Sequence, residues 1–171
     1  MDITMDDNTL REPVYGQGAH ADPVACVEDI SAALAARTVA GYPHSIWQIV
    51  EHMNYWMEYE ICKIAGENPS YPDHAIESWP ANPQAASEDQ WQATVGRFSD
   101  LLSSLASLVQ SDSATLERAM DDVGPANSRH QSTMRALLWQ ITVHNSYHVG
   151  QIAVLRRQLD VWPPRRGGFT W

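Results

Sequence analysis

Residues 134–159 read MRALLWQITVHNSYHVGQIAVLRRQL, and one stripe within them decides the fold. At 3.6 residues per turn, Met134, Leu137, Ile141, His144, His148, Ile152, Leu155 and Leu159 recur at steps of three and four, the mark of a helix with one face in a core. His144 and His148 stand mid-stripe, with apolar residues a turn before and a turn after. A buried imidazole without partners costs about 1–3 kcal/mol, so two adjacent ones need a compensating reason. Their i, i+4 spacing puts both rings on one face, where two nitrogens can converge on one metal ion.

Working outward, three further segments carry helical periodicity, and none shows convincing strand alternation. Asp22-Pro23 is a cap with a first-turn proline, opening a first helix through Cys26, Ile30 and Leu34 to about Val39. Ser45 with Gln48 forms a capping box for a second helix, which runs to about Ala65 before Gly66. Ser87 with Gln90 repeats the signature and opens a third helix, carried by Trp91, Val95, Phe98, Leu101, Leu102, Leu105 and Leu108. The helix of the opening stretch is the fourth, starting near Gln131 or Ser132.

The segment between the second and third helices holds Pro69, Pro72, Pro80 and Pro83, a composition that suits extended chain. Such a crossover, at roughly 3.3 Å per residue, returns the chain along the bundle and makes those helices parallel. The expected fold is all-α: a four-helix bundle, up-down-down-up, with a long crossover loop. Residues 1–21 read as an N-terminal loop extension, 22–164 as the bundle domain and 165–171 as a tail. One short helical turn around Thr115–Met120 and a loop at Gly124-Pro125 precede the fourth helix.

Composition narrows the function. Eleven basic residues face twenty-one acidic ones, for a net charge of −10, which argues against nucleic-acid binding through bulk charge. Lys63 is the one lysine, so a polybasic membrane anchor is not expected. No apolar stretch approaches the roughly 18 residues of a membrane-spanning helix, and no signal peptide is readable at Met1–Asp7. Cys26 and Cys62 form no metal or disulfide framework and read as thiols. A cytoplasmic protein with a small-molecule partner is the expectation.

A metal held by His144 and His148 needs a third ligand from another helix. His52 lies on the flank of the second helix's stripe (Ile46, Val50, Met53, Met57, Ile61, Ile64) and can reach sideways. Hydrogen-bonded core histidines are the competing reading of all three. His20, His44, His74 and His130 fall in loops or at helix ends and carry no metal signal of their own. A zincin protease is disfavoured because Asn145 stands where its His-Glu-x-x-His motif has the glutamate. No nucleophile elbow, phosphate loop or Glu-x-x-His motif is present. Gln151 borders the histidine face as a candidate to position substrate or water, with Asn145 and Tyr147 as neighbours. Tyr71, Trp79 and Pro80 of the crossover are candidate pocket walls. Arg156, Arg157, Arg165 and Arg166 read either as helix C-terminus stabilisers or as an anion-recognition group.

The stretches PHSIWQIVEHMNYW (43–56) and HNSYHVGQI (144–152), followed by Leu155-Arg156-Arg157 and Trp162-Pro163-Pro164, resemble the DinB/YfiT-like metalloenzymes. The resemblance covers about residues 20–164. It implies a four-helix bundle holding a divalent ion, zinc or nickel, on His52, His144 and His148, with water at the remaining positions. It further implies homodimers and, in some relatives, thiol S-transferase or isomerase activity with bacillithiol, mycothiol or glutathione. The resulting expectation is a metal-dependent, thiol-dependent S-transferase with no assigned catalytic side chain. A metal-dependent hydrolase and a non-catalytic metal-binding, structural or sensing bundle remain the alternatives.

Overall fold

Local signals place the three long helices in the computed structural model, which describes residues 7–16, 20–85, 87–123 and 129–167. In chain order the elements are α1 (Asp7–Tyr15), α2 (Ala25–Glu28), α3 (Ala32–Ala35), α4 (Ile46–Ile64), a 3-10 turn (Ala75–Ser78), α5 (Glu88–Val109), α6 (Ser113–Leu116), β1 (Ala119–Val123), β2 (Arg129–Thr133) and α7 (Met134–Gln158). The fold is mostly helical, as expected. Helix α4 packs on α5 and α7, and α1 packs on the same two helices.

The capping box of α4 is complete: Ser45 Oγ accepts from the Gln48 amide at 3.2 Å, and Gln48 Oε1 accepts from the Ser45 amide at 3.0 Å. Gly66, at φ +89°, ends the helix in the left-handed region that glycine adopts without strain. Helix α5 begins where Ser87 Oγ accepts from the Gln90 amide. The cap of α7 is Thr133, whose hydroxyl accepts from the Ala136 amide, just beyond the expected start. The stripes named above meet in one core containing Val50, Met53, Met57, Trp91, Phe98, Leu137, Ile141 and Ile152. No helix among the described residues is long and apolar enough to cross a membrane.

Four features differ from the sequence reading. The expected helix over 22–39 is two single turns, because neighbours capture its carbonyls. Arg156 Nη1 donates to Cys26 O at 2.8 Å and Trp91 Nε1 donates to Ile30 O at 2.7 Å, while Ser31 caps a new turn at Leu34. Within the segment expected as a loop extension, α1 forms and buries Leu10 and Val14 in the core despite Pro13. A proline in the last turn of a short helix forfeits little of its bonding. An antiparallel hairpin pairs Ala119–Val123 with Arg129–Thr133, where no strand was expected; Gly124-Pro125 lies outside the described residues. The crossover, finally, is not all extended but contains the turn Ala75–Ser78.

The crossover is fastened to the start of α4. Ser45 Oγ donates to Pro83 O at 2.5 Å and Gln48 Nε2 donates to Pro80 O at 2.8 Å. Three of the four C-terminal arginines have side-chain partners within the fold. Arg156, 2% exposed, bonds Asp29 Oδ1, Cys26 O and Val161 O; Arg166 pairs with Asp22 and Glu28; Arg157 lies 4.7 Å over the Trp162 ring. The contacts of Arg156 and Arg166 tie the end of α7 and the chain beyond it to the α2 region.

Candidate metal centre

Helix α7 carries His144 and His148 one turn apart, and α4, packed alongside, brings in His52. The three side chains offer ring nitrogens that all lie within 4.8 Å of one another. Two of the separations are 3.2 Å: His52 Nε2 to His144 Nε2, and His148 Nε2 to His144 Nε2. His52 and His148 are buried and His144 half-buried. Among the described residues no other group of three histidine, cysteine or carboxylate donors converges.

The opposite ring nitrogen of each histidine meets an acceptor. His52 Nδ1 lies 3.0 Å from Ser78 Oγ and 3.3 Å from Ser78 O, and the Ser78 hydroxyl donates to Ala75 O at 2.8 Å. Ser78 therefore accepts, and the proton of His52 sits on Nδ1. His148 Nδ1 donates to Gln151 Oε1 at 2.7 Å. His144 Nδ1 faces Asn145 Oδ1 at 3.4 Å, a longer and weaker bond. The acceptors on Nδ1 of His52 and His148 leave their Nε2 lone pairs facing His144 Nε2, and a cation between the three rings would be held by all of them. Tetrahedral bonds of 2.0–2.1 Å from one ion would set nitrogens roughly 3.3 Å apart, close to the two separations that His144 makes. The residues present therefore fit a divalent ion.

Electrostatics favour the neutral, ligating form. Burial, reinforced by His148 and His144, pushes His52 down to about 3. Burial and His148 push His144 down to about 4 against its bond to Asn145. His148 is lowered by burial, opposed by its bond to Gln151.

The crossover supplies the wall. Trp79 stacks on His52 with ring centroids 3.8 Å apart and on His44 at 3.7 Å, and presents an edge contact to His148 at 5.7 Å. Beyond the centre, Trp56 touches His52 edge-on at 6.4 Å and leads to Tyr55, Tyr59 and Tyr71. These three tyrosines line a cleft of about 700 Å³ together with Asp73 and Glu77, the residue before Ser78.

The structure thus brings His52, His144 and His148 together. It places Gln151 and Asn145 on the far ring nitrogens of the two α7 histidines, so Gln151 orients a ligand candidate. Tyr147 is exposed, with its ring edge-on to His148 at 5.1 Å. Glu51, adjacent to His52 in sequence, turns away to Thr94 and Arg97. Sequence reasoning missed Ser78 and the stacking of His44. A serine in a proline-rich loop has no periodicity to betray it, and His44 sits just before a helix cap. His20 bonds Ser146 Oγ and Ala21 O, outside the centre.

Residues 18–161 match the profile of a family described as mycothiol-S-transferase. The fold is similar to a crystal structure described as a conserved protein of a locus from Enterococcus faecalis, with a TM-score of 0.59 and 16% identity over 94% of this chain and 98% of that one. No curated protein matches the chain.

Proposed function

The chain belongs to the mycothiol-S-transferase family, one of the DinB/YfiT-like families, and from that premise we propose that it is a metal-dependent S-transferase acting on a low-molecular-weight thiol. The observation that carries the reading is the convergence of the ring nitrogens of His52, His144 and His148. In this reading the three histidines hold a zinc or nickel ion, which supplies the Lewis acidity that lets a bound thiol exist as thiolate near pH 7.

The chain's own groups do the rest. Neutral imidazoles would leave an ion held here its full positive charge, and a set of three protein ligands is that of catalytic rather than structural sites. Ser78, Asn145 and Gln151 hold the Nδ1 protons and so keep the lone pairs on Nε2. Trp79 covers one side of the site against water. The cleft lined by Tyr55, Tyr59 and Tyr71 begins one turn along α4 from His52 and seats the body of the thiol. The thiol proton passes to solvent, the sulfur forms a bond to an electrophilic carbon, and the displaced group departs with the electron pair of the broken bond.

The same reading includes an up-down-down-up bundle, with α1 in place of the helix expected at 22–39. It is supported by Ser45 and Pro83 meeting at the start of α4, five residues before α5 begins. It also includes a homodimer, supported by the exposed stripe Trp139, Val143 and Tyr147 on α7. A cytoplasmic location is in keeping with the free thiols of Cys26 and Cys62.

The test is consumption of mycothiol, bacillithiol or glutathione with a panel of alkylating electrophiles, by wild type and by a His148→Ala variant. Turnover by the ion-loaded wild type, lost in the variant, is the expected result. Ion-loaded protein that consumes none of the three thiols contradicts the transferase reading and leaves the hydrolytic or non-catalytic alternatives.

A further inference from the structure

The crossover does more than connect α4 to α5, because it places an indole flat against a candidate metal ligand. An imidazole lone pair lies in the ring plane, so binding an ion requires both the direction of Nε2 and the tilt of that plane to be set. The bond from Nδ1 to Ser78 fixes one point of the His52 ring but leaves it free to pivot about that point. Trp79 removes the pivot: its ring lies 3.8 Å from the His52 ring with only 10° between the planes.

The placement of Trp79 does not depend on His52. Its other face rests on His44 at 3.7 Å and 11°, and its backbone amide donates to Ile76 O at 3.0 Å. The residues that follow are fastened to α4 through Gln48 and Ser45. Among the described residues His144 and His148 have no stacked partner: His144 meets His52 tilted and His148 edge-on, and His148 meets Trp79 edge-on. One ligand of the three is therefore oriented by a wall delivered from the crossover, whereas the other two are oriented by amides of their own helix.

We propose that Trp79, clamped between His44 and His52, is the positioning residue that fixes the ring plane of His52 and thereby sets the affinity and ligand geometry of the metal centre. The inference rests on the metal-site reading above. It is tested with zinc affinity by chelator competition and with the visible absorption of the cobalt(II)-loaded protein, which reports ligand number and geometry without any turnover. Trp79→Ala and Trp79→Leu both remove the flat face, the second while keeping much of the volume, and Trp79→Phe restores it.

The expected result is zinc binding weakened about 10–100-fold in the Ala and Leu variants, the usual range for losing a partner of a metal ligand. Their cobalt spectrum changes in position and intensity, and Trp79→Phe returns both readouts to within about threefold of wild type because an aromatic face is again present. If Trp79→Ala does not fold, the Leu variant decides. Wild-type affinity and spectrum in the Leu variant, or a Phe variant no better than Leu, overturns the proposal. A wild type that binds neither zinc nor cobalt overturns the metal-site reading itself, and is told apart by needing no variant.

Discussion

Acid should unfold the metal-free protein through the histidine cluster, by an amount that follows from its burial. His52 and His144 titrate near 6.5 in an unfolded chain and are pushed down to about 3 and about 4 in the fold, chiefly by burial and then by neighbouring histidines. Well above pH 6.5, as at pH 7.5, neither state binds appreciable protons at these rings, and their full contribution to stability is present. As the pH falls below 6.5 the unfolded chain takes up protons that the folded chain refuses, so stability drops. The loss levels off only as the folded rings titrate, near 4 and near 3. At pH 5 the unfolded chain gains about 2 kcal/mol from each of these two rings, about 4 kcal/mol together. For a chain of this length that is a fall in Tm of roughly 8–16 °C between pH 7.5 and pH 5. The assay is thermal unfolding by circular dichroism of chelator-treated protein, beside a His52→Gln/His144→Gln double variant. The variant should lose most of that pH dependence. Parallel Tm-against-pH curves for the two proteins would refute the reasoning.

Other outcomes follow from named contacts. Gln151→Ala removes the acceptor for His148 Nδ1, so zinc affinity measured by chelator competition should fall about 10–100-fold with little change in Tm of the metal-free protein. Asp29→Ala strands Arg156, 2% exposed, without its carboxylate; urea unfolding should show a loss of about 3–5 kcal/mol. Ser45→Ala removes the cap of α4 and the bond to Pro83. Denaturant unfolding should show a cost of about 1–2 kcal/mol, and limited proteolysis should cut sooner within residues 79–85.

The long helices were legible because their signals are local. Ser45 with Gln48, Ser87 with Gln90, and the apolar stripes of α4, α5 and α7 need only neighbouring residues to be read. The pairing of His144 with His148 was legible for the same reason, while His52 stood out only as a flank residue until α4 was packed beside α7. What escaped was set by tertiary contacts. Arg156 and Trp91 take the carbonyls of Cys26 and Ile30 that a continuous helix would have used, from positions 130 and 61 residues away. Helix α1 is held by burial of Leu10 and Val14, two residues too few to make a periodic signal. The hairpin β1–β2 rests on backbone pairing across Ala119–Val123 and Arg129–Thr133, stretches whose sequence does not alternate apolar with polar residues. Ser78 and Trp79 reach the centre only because the crossover is bonded to α4.

Elemental analysis of untagged wild-type protein beside His148→Ala tests the central claim most directly. The account predicts about one zinc or nickel ion per chain in the wild type, lost in the variant. A wild type that carries no metal, takes up neither ion when each is added, and shows no rise in Tm with them would contradict it.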